Sequence, residues 1–185
     1  MPESRQRHSI TALISEREIA DKVAALAAEI TRAYRNDGHH DITAIAVSTG
    51  AMIFAADLIR HIGLPMQVES VIVKSYRNTE SSGNVRMLSE LYFEIKDRHI
   101  LLIDEILDTG LTMSHMVETM HSHSPASVRT CVLLDKPARR KVNIAPDFRG
   151  FEIQDLFVVG YGLDFNGYYR NLPYIGTLQT KAGPE

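Results

Sequence analysis

The sequence predicts an α/β domain with a mainly parallel sheet flanked by helices, and two observations lead to this fold class. Short apolar segments of strand length alternate with longer segments in which apolar residues recur at helical spacing. The apolar segments 42–47 and 99–103 also end in small or acidic residues, as expected where ligands collect beyond the carboxyl ends of strands. We therefore look for a functional site at that edge of the sheet.

The first half of the chain opens with a predicted helix over residues 15–36. Ser15 and Glu18 have the spacing of a capping box, and apolar residues then recur at steps of three and four. A buried strand over 42–47 opens onto Ser48, Thr49 and Gly50, and a second helix is predicted over 51–62.

The central part of the chain continues the alternation. Strands are predicted over 68–73, 99–103 and 128–134, a sharp turn over 104–112, and a helix over 113–121. Residues 77–84 are polar and lack an apolar anchor, which favours a mobile loop. From residue 148 onward, aromatic and β-branched runs separated by glycines predict irregular strands that cover the sheet's edge as a hood.

The composition is typical of a soluble globular chain and excludes several classes of protein. The 185 residues are 44% hydrophobic and 23% charged, which favours one domain over residues 1–185. No apolar run is long enough for a bilayer, and the charged residues 1–10 do not resemble a secretory signal, so we expect a cytoplasmic protein without a membrane partner. The single cysteine, Cys131, excludes an internal disulfide and is interpreted as a small core residue.

The net charge of −3 gives no electrostatic reason to expect a nucleic-acid partner. The densest basic cluster comprises Lys136, Arg139, Arg140 and Lys141. Such a cluster could contact nucleic acid, but a solvated loop or contacts with a small molecule are favoured.

The segment 103–112, of sequence IDEILDTGLT, carries the strongest chemical signal. After a strand and before a helix, Thr109, Gly110, Leu111 and Thr112 can point successive backbone N–H groups at a phosphate. The upstream carboxylates of Asp104, Glu105 and Asp108 would repel that anion, unless ribose hydroxyls and Mg²⁺ lie between them. Neither a Walker A loop nor a G-x-G-x-x-G motif is present. The alternative is an acidic turn in which Asp108 or Thr109 only caps the helix.

Residues 101–112 resemble the donor-binding motif of type I phosphoribosyltransferases, in which two acidic residues precede Asp-Thr-Gly. The segments LLDKP (133–137), FVVGYGLD (157–164) and YRNLPYIG (169–176) are similar to those of hypoxanthine-guanine phosphoribosyltransferases, in the same order. The resemblance extends from about residue 42 to 178. It implies a type I phosphoribosyltransferase fold and the Mg²⁺-dependent transfer of phosphoribose from phosphoribosyl pyrophosphate to hypoxanthine, guanine or xanthine. It further implies a homodimer or homotetramer.

The resemblance also implies a role for individual residues. Asp108 would be the general acid/base at purine N7, residues 109–112 would bind the 5′-phosphate, and Asp104 and Glu105 would face ribose and metal. Base contacts would come from Lys136 at O6, Phe157 by stacking and Val158 through its backbone. The implied pyrophosphate residues are Ser48, Thr49, Gly50 and Arg170, with Asp164 at a second magnesium ion. Ser75 and Tyr76 would belong to a mobile flap over about residues 75–88, and the hood would lie mainly in 148–185.

Three positions depart from the family pattern. The order Asp104-Glu105 reverses the usual glutamate and aspartate, Thr49 stands where relatives often have a basic residue, and Leu111 replaces a frequent lysine. These changes predict weaker or rearranged donor binding. Two other functions stay open, a non-catalytic regulator with the same fold that binds nucleotides and nucleic acid, and an enzyme for another nucleobase. Lys136 argues against adenine, whose amino group is a poor partner for an ammonium group.

Overall fold

A computed structural model describes residues 9–75, 85–88, 91–92 and 94–179 of the chain. In chain order the strands and helices are β1 (Ser9–Ile14), α1 (Glu16–Asn36), β2 (Ile42–Val47), α2 (Ala51–His61), β3 (Met66–Val71), β4 (Val73–Ser75), β5 (Val85–Met87), β6 (His99–Leu107), α3 (Leu111–His121), β7 (Ser127–Asp135), β8 (Phe148–Glu152), β9 (Val158–Val159) and β10 (Ile175–Gln179). A short 3₁₀ turn, Pro137–Arg139, follows β7. None of the helices in this part of the chain is long and apolar enough to cross a membrane.

The main sheet has the strand order β3-β2-β6-β7-β8, and every pairing in it is parallel. Helices α1 and α2 cover one face, where Ile30, Phe54 and Leu101 belong to one core cluster. Helix α3 covers the other face, where Met116 packs in a second cluster with Leu102. Because both faces are buried, the central strands are almost wholly apolar, as their sequences predicted.

Helix α1 confirms the prediction made from its sequence pattern. Ser15 and Glu18 form both hydrogen bonds of the capping box, and the apolar stripe from Ile19 to Tyr34 is buried. Strand β2 and helix α2 also lie where the sequence placed them, the helix ending one residue earlier at His61.

The hood is a second, three-stranded antiparallel sheet of order β1-β10-β9. Strand β1 was not predicted, because its pairing partner β10 lies at the opposite end of the sequence. Strand β8 was predicted, but it belongs to a different sheet from the one expected. The sequence placed it in the hood, but Phe148 pairs with Cys131 and continues the main parallel sheet. Its glycine, Gly150, packs against the backbone of Leu133, and therefore does not mark irregular structure.

Three further boundaries differ from the prediction. Strand β6 continues through Leu107, so Asp104 and Glu105 lie within a strand and the predicted turn at 104–107 is wrong. Helix α3 begins two residues early, at Leu111. The strand predicted over 68–73 is shifted toward the amino terminus and stops at Val71. Residues 77–84, predicted as a mobile loop, lie outside the described residues.

Candidate active site

The turn between β6 and α3 has the geometry of an anion-binding site. Gly110 precedes the first residue of α3 with φ +86° and has no side chain to cap the helix, while the N–H of Leu111 donates a long hydrogen bond of 3.5 Å to Thr109 Oγ1. The first N–H groups of the helix have no intrahelical acceptor, and they carry the positive end of the helix dipole. A Cβ on Gly110 would also lie 2.7 Å from Ile144 Cγ2 and 2.9 Å from Val142 Cγ2. Glycine is therefore required here for backbone conformation and for space.

Asp104 and Glu105 are successive residues near the carboxyl end of β6, and the N–H of Glu105 donates to Asp104 Oδ1 at 2.9 Å. Both residues line one cavity of about 210 Å³ at the carboxyl end of the strand, together with Asp108, Thr109 and Thr112. Burial, reinforced by the charge of Glu105, holds the pKa of Asp104 well above its ordinary value of 3.8. The cavity thus brings two acidic side chains together with the end of α3.

Glu105 has a polar atom that lacks a partner. Its Oε2 is buried and forms no hydrogen bond within the described part of the chain. A buried carboxylate oxygen is costly unless a donor or a cation satisfies it, which makes this atom a candidate ligand for a metal ion or a hydroxyl group.

Asp108 lies at the end of β6 and is about one-third exposed. Its Oδ1 accepts a hydrogen bond of 3.1 Å from Arg139 Nε, and Arg139 Nη1 contacts Asp155 Oδ2 at 3.3 Å. The two carboxylates raise the pKa of the Arg139 guanidinium. Sequence reasoning did not assign Arg139 or Asp155 to the site, because neither lies in a recognisable motif.

Of the three residues predicted to contact a base, Lys136 directly follows β7, Phe157 directly precedes β9, and Val158 is the first residue of β9. Lys136 is buried, and its Nζ donates to the carbonyl of Leu156 at 2.5 Å, which leaves two of its three N–H groups for a ligand. Phe157 is 55% exposed and packs edge-on against Phe165, so part of its ring is open to solvent. Val158 is buried in the hood sheet, opposite Thr177. None of the three lines the cavity beside Glu105.

Asp164 and Arg170 are paired with each other in the hood segment that connects β9 to β10. Arg170 Nη2 lies 2.7 Å from Asp164 Oδ1, and the backbone N–H of Gly167 donates to Asp164 Oδ2 at 2.7 Å. Arg170 also donates to the carbonyl of Gly162. The two residues predicted to contact pyrophosphate and metal are therefore adjacent, and each satisfies part of the other's charge.

The loop after β2 contacts both the acidic pair and the hood. A Cβ on Gly50 would collide with the carboxylate of Glu105, and a Cβ on Gly162 would collide with the carbonyl oxygen of Gly50. Gly50 is thus enclosed between Glu105 and the hood. Sequence reasoning missed this role of Gly162, although the spacing Gly-Tyr-Gly was visible in the sequence.

The other two residues of this loop, Ser48 and Thr49, differ in exposure, and Ser48 is half-buried. Ser48 has φ +65°, and its N–H donates to the carbonyl of Val71 at 2.8 Å. A serine in the left-handed region is uncommon and concentrates at functional sites. Thr49 is exposed. Of the predicted flap, Ser75 ends β4 and Tyr76 lies outside the described residues.

The chemistry of the acidic residues fits Mg²⁺ that is shared with a substrate. The described residues contain no group of three or more side chains arranged to hold a metal ion by themselves. Magnesium ions are commonly held by one or two carboxylates and by substrate phosphates, and the unsatisfied oxygen of Glu105 is suited to that arrangement.

A helix amino end beside acidic residues, at the carboxyl edge of a parallel five-stranded sheet, is the architecture of the type I phosphoribosyltransferases. The family model described as phosphoribosyl transferase domain matches residues 9–166. The chain belongs to this family.

Several relatives within the family have names that specify a base. The chain is 47% identical to the hypoxanthine-guanine phosphoribosyltransferase of Bacillus subtilis over 168 residues, which cover 90% of this chain and 92% of the relative. It is 36% identical to the hypoxanthine-guanine-xanthine phosphoribosyltransferase of Tritrichomonas foetus, with 90% of each chain covered.

Solved structures of relatives have the same fold. A hypoxanthine-guanine phosphoribosyltransferase from Bacillus anthracis superposes with a TM-score of 0.84 at 36% identity, and the match covers 94% of this chain and all of that one. A hypoxanthine phosphoribosyltransferase from Staphylococcus aureus gives a TM-score of 0.86 at 37% identity, with 91% of each chain covered.

Proposed function

We propose that this protein is a purine-salvage enzyme that transfers the 5-phosphoribosyl group from phosphoribosyl pyrophosphate to hypoxanthine, guanine or both, with xanthine as a further candidate. One observation carries the proposal, the single cavity that joins the uncapped end of α3 to Asp104, Glu105 and Asp108. A 5′-phosphate fits the helix end and ribose hydroxyls fit the acidic pair. The named relatives support a 6-oxopurine as the acceptor.

In the proposed reaction, the bond between ribose C1′ and pyrophosphate breaks and a bond from purine N9 to C1′ forms. Pyrophosphate leaves with the bonding electron pair, and the ring loses a proton at N7 to Asp108. A carboxylate held at that atom can act as the general base, and it returns the proton in the reverse reaction. Lys136 would donate to the base's O6 while Phe157 stacks on the ring and Val158 contacts the exocyclic position through its backbone.

Catalysis in this proposal depends on position and charge. The sugar gains positive charge as its bond to pyrophosphate breaks, as in other glycosyl transfers. Arg170 and the loop of residues 48–50, through the amides of Thr49 and Gly50, would bind the departing pyrophosphate, and Asp104 and Glu105 would orient the ribose hydroxyls. When bound, Mg²⁺ would neutralise phosphate charge, and the residues that would hold it are Asp104 and Glu105 beside the ribose and Asp164 at a second ion.

A panel of bases tests the proposal directly. Purified protein with Mg²⁺ and the phosphoribosyl donor is expected to convert hypoxanthine or guanine to the monophosphate and release pyrophosphate, and adenine is expected to react poorly. Absence of product with hypoxanthine, guanine and xanthine alike would contradict the proposal. A nucleic-acid shift assay on the same preparation tests the alternative of a non-catalytic regulator.

We also propose that the protein is a homo-oligomer, a dimer or a tetramer. An apolar groove runs between α2 and the edge strand β3, where Met52 is 60% exposed and Val68 is 48% exposed. The groove reaches Ser48 and Thr49, so a second copy bound there would lie against the proposed pyrophosphate loop. Light scattering should give a multiple of the 20.7 kDa chain mass, and Met52→Glu should lower it. A monomeric mass for the unaltered chain would refute this.

A further inference from the structure

Arg140 is a buried side chain that makes several contacts with the turn before α3. Its side chain is 14% exposed and lies behind the segment 107–110. The guanidinium donates through Nε to the carbonyl of Ile144 at 3.0 Å and through Nη1 to the carbonyl of Leu107 at 2.8 Å. Nη1 also donates to the carbonyl of Asp108, and Nη2 pairs with the buried carboxylate of Asp135.

The neighbouring residue, Lys141, binds a third carbonyl of the turn, and we call Arg140 and Lys141 together the clamp. The backbone N–H of Lys141 donates to the carbonyl of Thr109 at 2.9 Å. Three successive carbonyls, at positions 107, 108 and 109, are therefore held by residues 140 and 141, and the carbonyl of Leu107 also accepts from the backbone N–H of Lys136 at 3.0 Å.

These contacts fix the direction of the amides as well. In a trans peptide the N–H group points opposite to the preceding carbonyl, and every peptide bond that the structure describes is trans. With the carbonyls of Leu107, Asp108 and Thr109 directed at residues 140 and 141, the N–H groups of residues 108, 109 and 110 point away from the clamp. The cavity is lined by residues 104–110 of the strand and turn and not by Arg140 or Lys141, so these N–H groups point toward it.

The charge of Arg140 has a local partner. Asp135 is 2% exposed and is paired with Arg140 and also with Arg149, at 3.2 Å. The negative charge of Asp135 largely offsets the attraction that the Arg140 guanidinium would exert on an anion in the cavity. Arg140 therefore contributes to the site by orienting the turn.

We propose that Arg140 is a positioning residue that aims the backbone amides of the turn at the 5′-phosphate of the donor and of the nucleotide product. The inference rests on the proposed function, because that function places a phosphate in this cavity. It gives Arg140 a role that the sequence did not reveal, since the residue appeared there only as part of a basic cluster. Lysine is not an adequate substitute, because one ammonium group cannot span the carbonyls and the carboxylate that the planar guanidinium joins.

Binding of inosine 5′-monophosphate and of inosine, measured by calorimetry, separates the phosphate from the rest of the ligand. For Arg140→Met we expect the preference for the monophosphate over the nucleoside to fall by about tenfold or more, since aligned hydrogen bonds to a charged group are lost. Inosine affinity should stay within about twofold, because the base and ribose contacts are untouched. Arg149→Met is the matched control. It loses the same partner, Asp135, but it contacts no carbonyl of the turn and should keep the full preference.

The possible results separate the positioning role of Arg140 from the proposed function. An unchanged preference in Arg140→Met, or an equal loss for both ligands, would overturn the positioning role and leave the proposed function intact. Wild-type protein that binds both ligands equally would overturn both. If Arg140→Met does not fold, Arg140→Lys replaces it. Reduced preference in the lysine variant supports the inference, and wild-type preference refutes it.

Discussion

At the scale of single residues, the acidic side chains of the cavity have different environments and therefore different expected roles. Asp104 is buried and its pKa is raised, whereas Asp108 is partly exposed and paired with Arg139. A group that must exchange a proton with a ligand needs access to that ligand, which Asp108 has. The sequence identified both residues, but it could not distinguish their burial.

Asp108→Asn is expected to lower turnover with hypoxanthine by about 10²- to 10⁴-fold, because the amide cannot accept the ring proton. Donor affinity should change little, since the amide keeps an acceptor for Arg139. Steady-state kinetics and donor titration measure the two effects. Asp155→Asn, which alters the other carboxylate on Arg139, is the control and should retain most of the turnover. Near-normal turnover in Asp108→Asn would show that Asp108 is not the base.

Asp104→Asn is expected to stabilise the protein at neutral pH. Because the pKa of Asp104 is higher in the folded state than its ordinary 3.8, its contribution to the free energy of unfolding is fully present below pH 3.8 and is lost as the pH rises through the folded value. Replacing this ionisable group should raise the free energy of unfolding at pH 8 and should flatten its pH dependence.

Urea unfolding of both proteins at a series of pH values from 4 to 8 measures this pH dependence. Asp21→Asn, on the exposed surface of α1, is the control and should leave the curve unchanged. Parallel pH curves for wild type and Asp104→Asn would mean that Asp104 is not the group responsible.

At the scale of elements, the start of α3 depends on a glycine that satisfies two separate requirements. Gly110 has a positive φ, and it also leaves room for the side chains of residues 140, 142 and 144. The sequence predicted a turn before this helix, although it began the turn at residue 104, where β6 still continues. The second requirement was invisible, because the contacting residues lie about thirty positions further along the chain and belong to a different loop.

Gly110→Ala should lower the free energy of unfolding by about 2–4 kcal/mol, because backbone strain and close contact both act on the new methyl group. Affinity for inosine 5′-monophosphate should fall as well. Gly38→Ala is the control for backbone strain alone, since Gly38 has φ +79° and none of the described residues lies within 4 Å of a Cβ built on it. It should lose about 1 kcal/mol and should bind normally. Equal losses in the two variants would contradict the packing argument.

At the scale of the whole molecule, the hood and the main sheet meet at two glycines. Gly162 of the hood packs on the carbonyl of Gly50, and Gly50 packs on Glu105. A second link joins Tyr161 to Asp57 of α2, where the phenol donates to the carboxylate at 2.5 Å. Burial raises the pKa of Tyr161, which keeps the phenol protonated and able to donate. The position of the hood is therefore coupled to the proposed pyrophosphate loop.

Gly162→Ala should raise the KM for the phosphoribosyl donor by about tenfold, because the new methyl group displaces the hood from Gly50 and shifts both sides of the proposed pyrophosphate site. Turnover at saturating donor should change less. Gly167→Ala, in the same loop and also at positive φ, has open space around its Cβ and should keep the wild-type KM. An unchanged KM in Gly162→Ala would show that the glycine contact does not organise the site.

The sequence by itself determined the elements whose signals are local. The capping box and apolar stripe of α1, the apolar strand β2 and the glycine turn before α3 each follow from residues within a few positions of one another. Only the tertiary structure decided what depends on distant partners, namely that β1 joins β10, that β8 completes the main sheet, and that Arg140 holds the carbonyls at 107 and 108. The physical reason is that hydrogen bonds and close packing between distant segments leave no periodic pattern in either segment alone.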